Sequence, residues 1–336
     1  MKYSIIIATY NRLDELKELL ASVEKISFDR NEFDIIFVDD GSTDGTDKYI
    51  QNYQSESNIQ INYFFQQNKG PAEARNYGMR EAQGAYFIFV DSDCLFPPDY
   101  LLKIDEFVKQ NNPDAFGGPD TYHLNFPPLL KAINYAMTSF IGTGGTRGGK
   151  INIQKKYYPR TFNMGISRDV FHRIGGMPKL TYGQGEDMEF SGRIHSHGFT
   201  VMYIKDAFVY HKRRTSFKKF FRQIFNWAQA RINLGKMNKE LLKPIHFVPA
   251  ALLFVLCIIL ILSFFPFFPS VQVFFFIFSM MLLIAVFAFV QSFAEYKSVT
   301  VALLSIATLY VQVFAYGIGM WSGILKYMKE KLHVSK

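Results

Sequence analysis

Three long stretches of this 336-residue chain carry no charge at all: Phe247–Phe265, Val271–Phe293 and Val299–Leu325. A bilayer core of about 30 Å is crossed by roughly 20 apolar helical residues, so each stretch is a candidate span. A wholly water-soluble fold would have to bury all three. Ahead of them, residues 205–243 hold eleven Lys or Arg against two acids, a local charge of +9 in a chain whose total is +8. A basic block just before the first apolar run places that flank on the cytosolic side. The chain starts Met1-Lys2-Tyr3-Ser4-Ile5 and is polar by Asn11, which does not read as a signal peptide, so the first 240 residues are expected in the cytosol.

The last residues raise a conflict. Lys326, Lys329, Lys331 and Lys336 also argue for a cytosolic flank, and two cytosolic flanks require an even number of crossings. Phe265-Pro266-Phe267-Phe268-Pro269 reads as a tight turn that pairs the first two runs, leaving the third to cross outward or to lie in the plane of the membrane. The expectation is three spans within 247–325, followed by a basic tail, 326–336, with the parity conflict open.

Between the two regions, Ser216–Leu234 places Phe217, Phe220, Phe221, Ile224, Phe225, Ala228 and Ile232 at helical spacing, interleaved with Lys218, Lys219, Arg222 and Arg231. Residues 216–243 therefore read as a basic amphipathic helix at a membrane interface. The adjoining apolar runs favour a lipid bilayer over nucleic acid as the partner of this basic, aromatic segment. Only two cysteines occur, Cys94 and Cys257, which excludes a disulfide framework and a thiolate zinc centre.

The first hundred residues alternate strand and helix patterns. Tyr3–Ala8, Asp34–Val38, Ile59–Phe65 and Ala85–Val90 are apolar, strand-like runs. Asn11–Val23, Thr46–Tyr53 and Ala72–Gln83 have helical character. Such alternation predicts an α/β fold with a mostly parallel, doubly wound sheet, whose ligands sit beyond the carboxyl ends of the strands. Polar clusters occur at those ends: Thr9-Tyr10-Asn11, Asp39-Asp40-Gly41-Ser42 and Asp91-Ser92-Asp93. Neither a Gly-x-Gly-x-x-Gly turn after the first strand nor a P-loop is present. Asp91 and Asp93, two apart at a strand end, can point the same way, and oxygen ligands suit Mg²⁺ or Mn²⁺. An Asp-x-Asp alone is equally a turn.

Taken in order, Ser4-Ile5-Ile6-Ile7-Ala8-Thr9-Tyr10-Asn11-Arg12, Val38-Asp39-Asp40-Gly41-Ser42, Gly70-Pro71-Ala72-Glu73-Ala74-Arg75-Asn76, Phe89-Val90-Asp91-Ser92-Asp93, Phe162-Asn163-Met164-Gly165-Ile166-Ser167, Gly175-Gly176-Met177 and Gly185-Glu186-Asp187-Met188-Glu189-Phe190 resemble family 2 of the inverting nucleotide-sugar glycosyltransferases. The resemblance covers about residues 1–235. It implies a GT-A catalytic domain, taken here as 1–215. It implies that Thr9, Tyr10, Asp40, Arg75 and Asp91 bind the donor, with a carboxylate able to accept the imide N–H of uracil, so that a UDP-sugar is expected and GDP stays open. It implies Asp93, with Asp91 and His211, as ligands of Mn²⁺ or Mg²⁺, and Asp187 as general base assisted by Glu186. Helix-dipole placement explains one acid at the start of a helix, and Glu189 reads as structural.

Gln223-Ile224-Phe225-Asn226-Trp227 resembles the Gln-x-x-Arg-Trp motif of processive synthases, with Asn226 in place of the arginine. The expected function is therefore sugar transfer to a lipid-linked or glycan acceptor hydroxyl at the cytosolic leaflet of a bacterial inner membrane. A polyprenyl-phosphate sugar synthase, a processive polysaccharide synthase and a non-catalytic scaffold are the alternatives. Gly142–Lys150, rich in glycine, is expected to be a mobile loop on the acceptor side.

Overall fold

The computed structural model describes residues 1–143, 156–180, 185–212 and 214–334. Most of the glycine-rich loop, Tyr182–Gln184 and Arg213 lie outside the described residues. The chain divides into two compact units, one of residues 1–123 and 155–212, the other of 124–154 and 213–336. The segment after His123 thus groups with the C-terminal helices, whereas the sequence places it inside a single 1–215 domain.

In the first unit, β1 (Tyr3–Thr9), β2 (Phe33–Asp39), β3 (Gln60–Phe65) and β4 (Tyr86–Phe89) form the parallel half of a seven-stranded sheet. Its strand order is β3-β2-β1-β4-β8-β6-β9, with β6 (Ala115–Gly117), β8 (Met164–Ser167) and β9 (Val201–Tyr203) completing the other half. β8 runs antiparallel to both β4 and β6. The apolar runs of β1 and β2 are buried on both faces, as strands of a covered parallel sheet must be. α1 (Leu13–Val23), α2 (Thr46–Glu56) and α4 (Tyr100–Asn111) pack on one face through Leu16, Leu19, Leu20, Ile50, Leu101 and Ile104. α3 (Pro71–Glu81), α7 (Arg168–Ile174) and α8 (Glu186–Ser196) cover the other with Ala74, Met79, Val170, Phe190 and Ile194.

A second, three-stranded sheet is built from very short pieces: β5 (Cys94–Leu95), β7 (Asp120–Thr121) and β10 (Val209–His211), in the order β5-β10-β7. Its register sets His211 opposite Cys94 and Val209 opposite Asp120.

The second unit is helical: α5 (Pro128–Thr138), the short α6 (Phe140–Thr143), α9 (Phe217–Met237), α10 (Val248–Leu262), α11 (Ser270–Tyr296) and α12 (Val299–Val334). Three of its helical segments, 244–262, 270–296 and 299–332, are long and apolar enough to cross a membrane. α9 forms where the 3.6-residue period predicts it, started by the Ser216 hydroxyl, which accepts from the Lys219 N–H. Part of its apolar stripe packs on other helices, while Phe221 stays exposed. Phe220 and Ile224 pack with Ile133, Met137 and Ala315, and Ala228 and Ile232 with Ala250 and Met320. The amphipathic pattern holds, with protein covering Phe220, Ile224, Ala228 and Ile232.

Candidate functional site

The parallel register sets Thr9 opposite Asp39, and Phe89 opposite Ile6, so the carboxyl ends of β1, β2 and β4 share one edge of the sheet. Thr9 ends β1 with its hydroxyl buried and without a hydrogen-bond partner. A buried hydroxyl left unsatisfied is costly, which marks this strand end as a place where a ligand can bond. Tyr10 beside it is half exposed.

Asp40 is held from within the chain. Its two carboxylate oxygens accept the backbone N–H groups of Lys69 and Gly70 at 2.8 and 2.9 Å, and Gln66 Nε2 donates at 2.7 Å. Three of about four lone-pair sites are thereby engaged. The carboxylate clamps the start of α3, and Gly70 makes this possible with a φ of +92°, which L side chains rarely adopt. A second clamp fixes the same helix: Asn76 donates to the Met177 carbonyl at 2.9 Å and accepts from its N–H at 2.7 Å. A Cβ at Gly176 would collide with the Asn76 amide, so the Gly175-Gly176-Met177 motif is the counterpart of this contact.

So positioned, α3 presents Arg75, which is buried and donates to Asp91 Oδ1 at 2.6 Å. Burial alone would push the guanidinium pKa down. The charges of Asp91, Glu186 and Asp187 outweigh that and raise it. Arg75 thus pairs with Asp91 and feels the charges of Glu186 and Asp187 from a distant part of the sequence.

Asp91 and Asp93 do not act as an alternating pair. β4 ends at Phe89, and the chain turns at once, with the Cys94 N–H donating to the Asp91 carbonyl at 3.0 Å. Asp91 goes to Arg75, and Asp93 goes elsewhere. Its Oδ1 lies 3.3 Å from His211 Nε2, and its Oδ2 lies 3.7 Å from Arg12. His211 is delivered there by the β5–β10 register, reinforced by the Lys212 N–H donating to the Asp93 carbonyl at 2.9 Å. The other ring nitrogen, Nδ1, lies 3.1 Å from Asp120 Oδ2.

A histidine between two carboxylates, with Nε2 at 3.3 Å from an acid, needs a proton or a cation on that nitrogen. Asp93, Cys94 and His211 have ligand atoms within 4.8 Å of one another. Burial raises the Cys94 thiol well above its usual range, with Asp93, Asp91 and Asp120 adding to this, and sulfur is in any case a poor ligand for a hard ion. One carboxylate and one imidazole remain, the imidazole oriented by a second carboxylate, which is the pattern of a metal-binding histidine. The residues therefore fit a divalent ion such as Mn²⁺ or Mg²⁺.

Asp120 carries no signal of its own in the sequence. It follows Gly117-Gly118-Pro119, and a Cβ at Gly118 would run into the Ala207 backbone. Asn163, buried in the Phe-Asn-Met-Gly motif, donates to the carbonyls of Pro119 and Ala207 and accepts from Tyr100. That one amide pins together the turn carrying Asp120 and the lead-in to His211.

Glu186 and Asp187 open α8, preceded by Gly185 at a φ of +86°. Two acids here suit the helix dipole. Asp187 Oδ1 accepts the Met188 N–H at 2.8 Å, and Oδ2 lies 3.6 Å from Arg160, a second residue that sequence reasoning missed. Glu189 pairs with Arg193 one turn on, at 3.0 Å, and is structural. Burial, then repulsion from Asp187, pushes Glu186 above the usual carboxylate range, with Arg75 opposing. The folded value is thus above the unfolded one. Folding favours the neutral acid, a contribution complete below the unfolded pKa and lost as the pH climbs through the folded value. Glu186→Gln is therefore expected to raise the unfolding midpoint at neutral pH by about 2–4 °C, the shift produced by about 1 kcal/mol in a domain of 150–250 residues. The gain should fade in acid. Thermal melts at both pH values check this, and a lower midpoint at neutral pH would mean that pairing with Arg75 dominates instead.

Residues 4–175 match the profile of glycosyl transferase family 2, and residues 160–329 that of glycosyl transferase family 21. Poly(ribitol-phosphate) beta-N-acetylglucosaminyltransferase TarS of Staphylococcus aureus is 33% identical over 115 residues, 34% of this chain but 20% of its own length. The chain thus spans about a fifth of that relative. Glycosyltransferase AglE of Haloferax volcanii is 25% identical over 242 residues, 70% of this chain and 77% of that one. Among solved structures, the mannosyltransferase PcManGT of Pyrobaculum calidifontis, in complex with GDP-Man and Mn²⁺, superposes with a TM-score of 0.65 at 15% identity, covering 94% of this chain and 86% of that one. That likeness concerns the fold, a GT-A-like α/β unit. With a match running over half its length, through the strand ends that carry Thr9, Asp40, Asp91 and Asp93 and the helix that carries Arg75, the chain belongs to glycosyl transferase family 2.

Proposed function

We propose that this chain is a membrane-attached, inverting glycosyltransferase that moves a sugar from a nucleoside-diphosphate donor to the hydroxyl of a lipid-linked or glycan acceptor. The observation that carries this reading is the line Asp93–His211–Asp120 in the same unit as the Arg75–Asp91 pair and the helix-opening Glu186-Asp187. The first group suits a cation, the second buries a fixed positive charge, and the third supplies a carboxylate that can accept a proton.

Thr9, with its unsatisfied hydroxyl, Tyr10 and the remaining acceptor site of Asp40 hold the nucleoside, and a uracil imide supplies the donor that such a carboxylate accepts. Asp93 and His211 would hold Mn²⁺ or Mg²⁺, with Asp91 in the same turn. Such an ion would neutralise the leaving diphosphate. Asp187 takes the proton from the acceptor hydroxyl as that oxygen bonds to the anomeric carbon, and the carbon–oxygen bond to the diphosphate breaks with its electron pair leaving on the phosphate side. Attack opposite the leaving group inverts the anomeric centre. Arg160 holds the Asp187 carboxylate in place, and Arg75 pairs with Asp91 and opposes the upward push that burial gives Glu186. The apolar helices of the second unit attach the enzyme to the inner membrane, where a lipid-linked acceptor shares its plane.

Nucleotide release tests this. The purified protein is given UDP- and GDP-sugars with Mn²⁺, Mg²⁺ or EDTA and a bacterial lipid extract. Metal-dependent release from one donor, with a new glycolipid seen by mass, is expected. No release and no nucleotide binding with any donor would refute the reading.

A further inference from the structure

We infer that Arg12 makes the cation site at Asp93 and His211 depend on the donor's diphosphate. Its guanidinium competes with a divalent ion for the Asp93 carboxylate, and a nucleoside diphosphate relieves that competition by drawing Arg12 to itself. The inference rests on the metal-dependent transfer proposed above and specifies how ion and donor binding are linked.

Arg12 lies between β1 and α1, at the N-cap position of the helix. The backbone on both sides of it is fastened to the loop that follows β2. Asn11 takes a φ of +50°, a conformation that asparagine tolerates. Its N–H donates to Ser42 Oγ at 2.9 Å, and its side-chain oxygen accepts the Thr43 N–H at 2.8 Å. On the other side, the Leu13 N–H donates to Asp44 Oδ2 at 2.9 Å. Asp44 is itself fixed, because its Oδ1 accepts the Thr46 hydroxyl at 2.7 Å. These bonds hold the loop through Asn11 and Leu13, and they aim the side chain between them.

That side chain has two carboxylates beside it. Arg12 Nη1 lies 2.9 Å from Glu15 Oε1 and 3.7 Å from Asp93 Oδ2. The pair with Glu15 joins side chains that are 31% and 30% exposed, so it adds little to stability. The distance to Asp93 is too long for a hydrogen bond. Neither contact is what a structural clamp needs. As electrostatics the second contact still matters. A separation of 3.7 Å is well inside the Debye length of about 8 Å at physiological salt, and the Asp93 side chain is only 13% exposed.

Asp93 is thus divided between two partners, with Oδ1 towards His211 and Oδ2 towards Arg12. An ion bound by Asp93 and His211 has to share the carboxylate with a fixed positive charge, which weakens binding of the ion by itself. Glu15 limits the effect by engaging the same guanidinium nitrogen. The next cation, Lys212, is already matched on α1, with its Nζ 2.5 Å from Glu18. A diphosphate changes the balance at Arg12. The planar guanidinium fork suits phosphate oxygens bidentately, a better contact than a carboxylate at 3.7 Å. Once Arg12 turns to the phosphates, Asp93 is released to the ion. Linkage then requires reciprocity: the nucleotide tightens the ion, and the ion tightens the nucleotide by the same factor.

The test titrates the full chain in detergent with Mn²⁺, following the free ion by electron paramagnetic resonance, with and without UDP or GDP. For the wild type, one of the two nucleotides should tighten Mn²⁺ binding by roughly 5–150-fold, the usual range of coupling between two ligands. Arg12→Met should tighten binding of Mn²⁺ alone by about fivefold or more and shrink the nucleotide effect. Arg12→Lys keeps the charge and should stay nearer the wild type. Glu15→Gln leaves the Arg12 charge uncompensated and should weaken binding of Mn²⁺ alone. Opposite shifts in Arg12→Met and Glu15→Gln are the signature of competition, since damage to the loop would weaken Mn²⁺ binding in both. Unchanged or weaker binding of Mn²⁺ alone by Arg12→Met would overturn the inference and leave the metal site standing. So would a wild-type curve that neither nucleotide moves. No Mn²⁺ binding by the wild type, with or without nucleotide, would remove the metal site proposed above, and the role of Arg12 with it.

Discussion

Replacing Asp187 with asparagine is expected to lower kcat by about 10²–10⁴-fold, the usual contribution of a positioned general base, with little change in donor affinity. The substitution is nearly isosteric. The amide oxygen can still accept the Met188 N–H that Asp187 accepts at 2.8 Å, so the first turn of α8 should survive. What is lost is the capacity to take a proton. The pair with Arg160 at 3.6 Å is also weakened, and Arg160→Met provides the comparison. If Arg160 only positions the carboxylate, its removal should cost less in kcat than the loss of the carboxylate itself. Steady-state nucleotide release and equilibrium nucleotide binding separate the two effects. A variant within a few-fold of wild-type kcat would remove Asp187 from the chemistry. Equal loss of binding would make it a donor-site residue instead.

The parallel half of the main sheet is legible because each of its strands is a continuous apolar run followed by a polar end, and burial on both faces leaves little room for another reading. The helix-opening acids at Glu186 and Asp187 are legible for a similar local reason. What cannot be read is the second sheet. β5 and β7 are two residues each, too short for a period, and they exist only because distant segments meet; of the three strands only β10 shows, in the apolar run Ala207–Tyr210. Hence His211 is visible as a candidate while its partner Asp120 is not. The one local signal, Gly117-Gly118-Pro119 ahead of Asp120, marks a turn but not its destination. Arg160 is similar, since its sequence neighbours give no hint of α8. The turn at Asp91–Asp93 shows the opposite failure. A strand alternation reaches two residues too far, and the two carboxylates go to different partners. For α9 the period is right, but an amphipathic stripe is equally satisfied by lipid and by another helix, and other helices cover Phe220, Ile224, Ala228 and Ile232.

The second large effect concerns the acids on either side of His211, which the geometry predicts to behave differently. Asp93→Asn removes an anionic ligand, and activity should fall by more than about 10²-fold, beyond the range usual for an outer-shell partner, with no recovery as metal is added. Asp120→Asn leaves the Asp93 carboxylate and the imidazole in place but takes the anionic acceptor from Nδ1, 3.1 Å away. The ring then loses its fixed tautomer and some basicity, and metal affinity should drop by about 10–100-fold, so activity returns when the ion is raised. Titrating nucleotide release with Mn²⁺ and with Mg²⁺ reads both variants on one scale. The same rule separates a metal ligand from a structural ion pair: if His211 merely bridged two carboxylates as an imidazolium, either substitution would lower stability alike and neither would shift the metal curve. Wild-type activity unaffected by EDTA would point the same way, and Asp93, His211 and Asp120 would then be a line of charges that fastens the second sheet to the turn after β4.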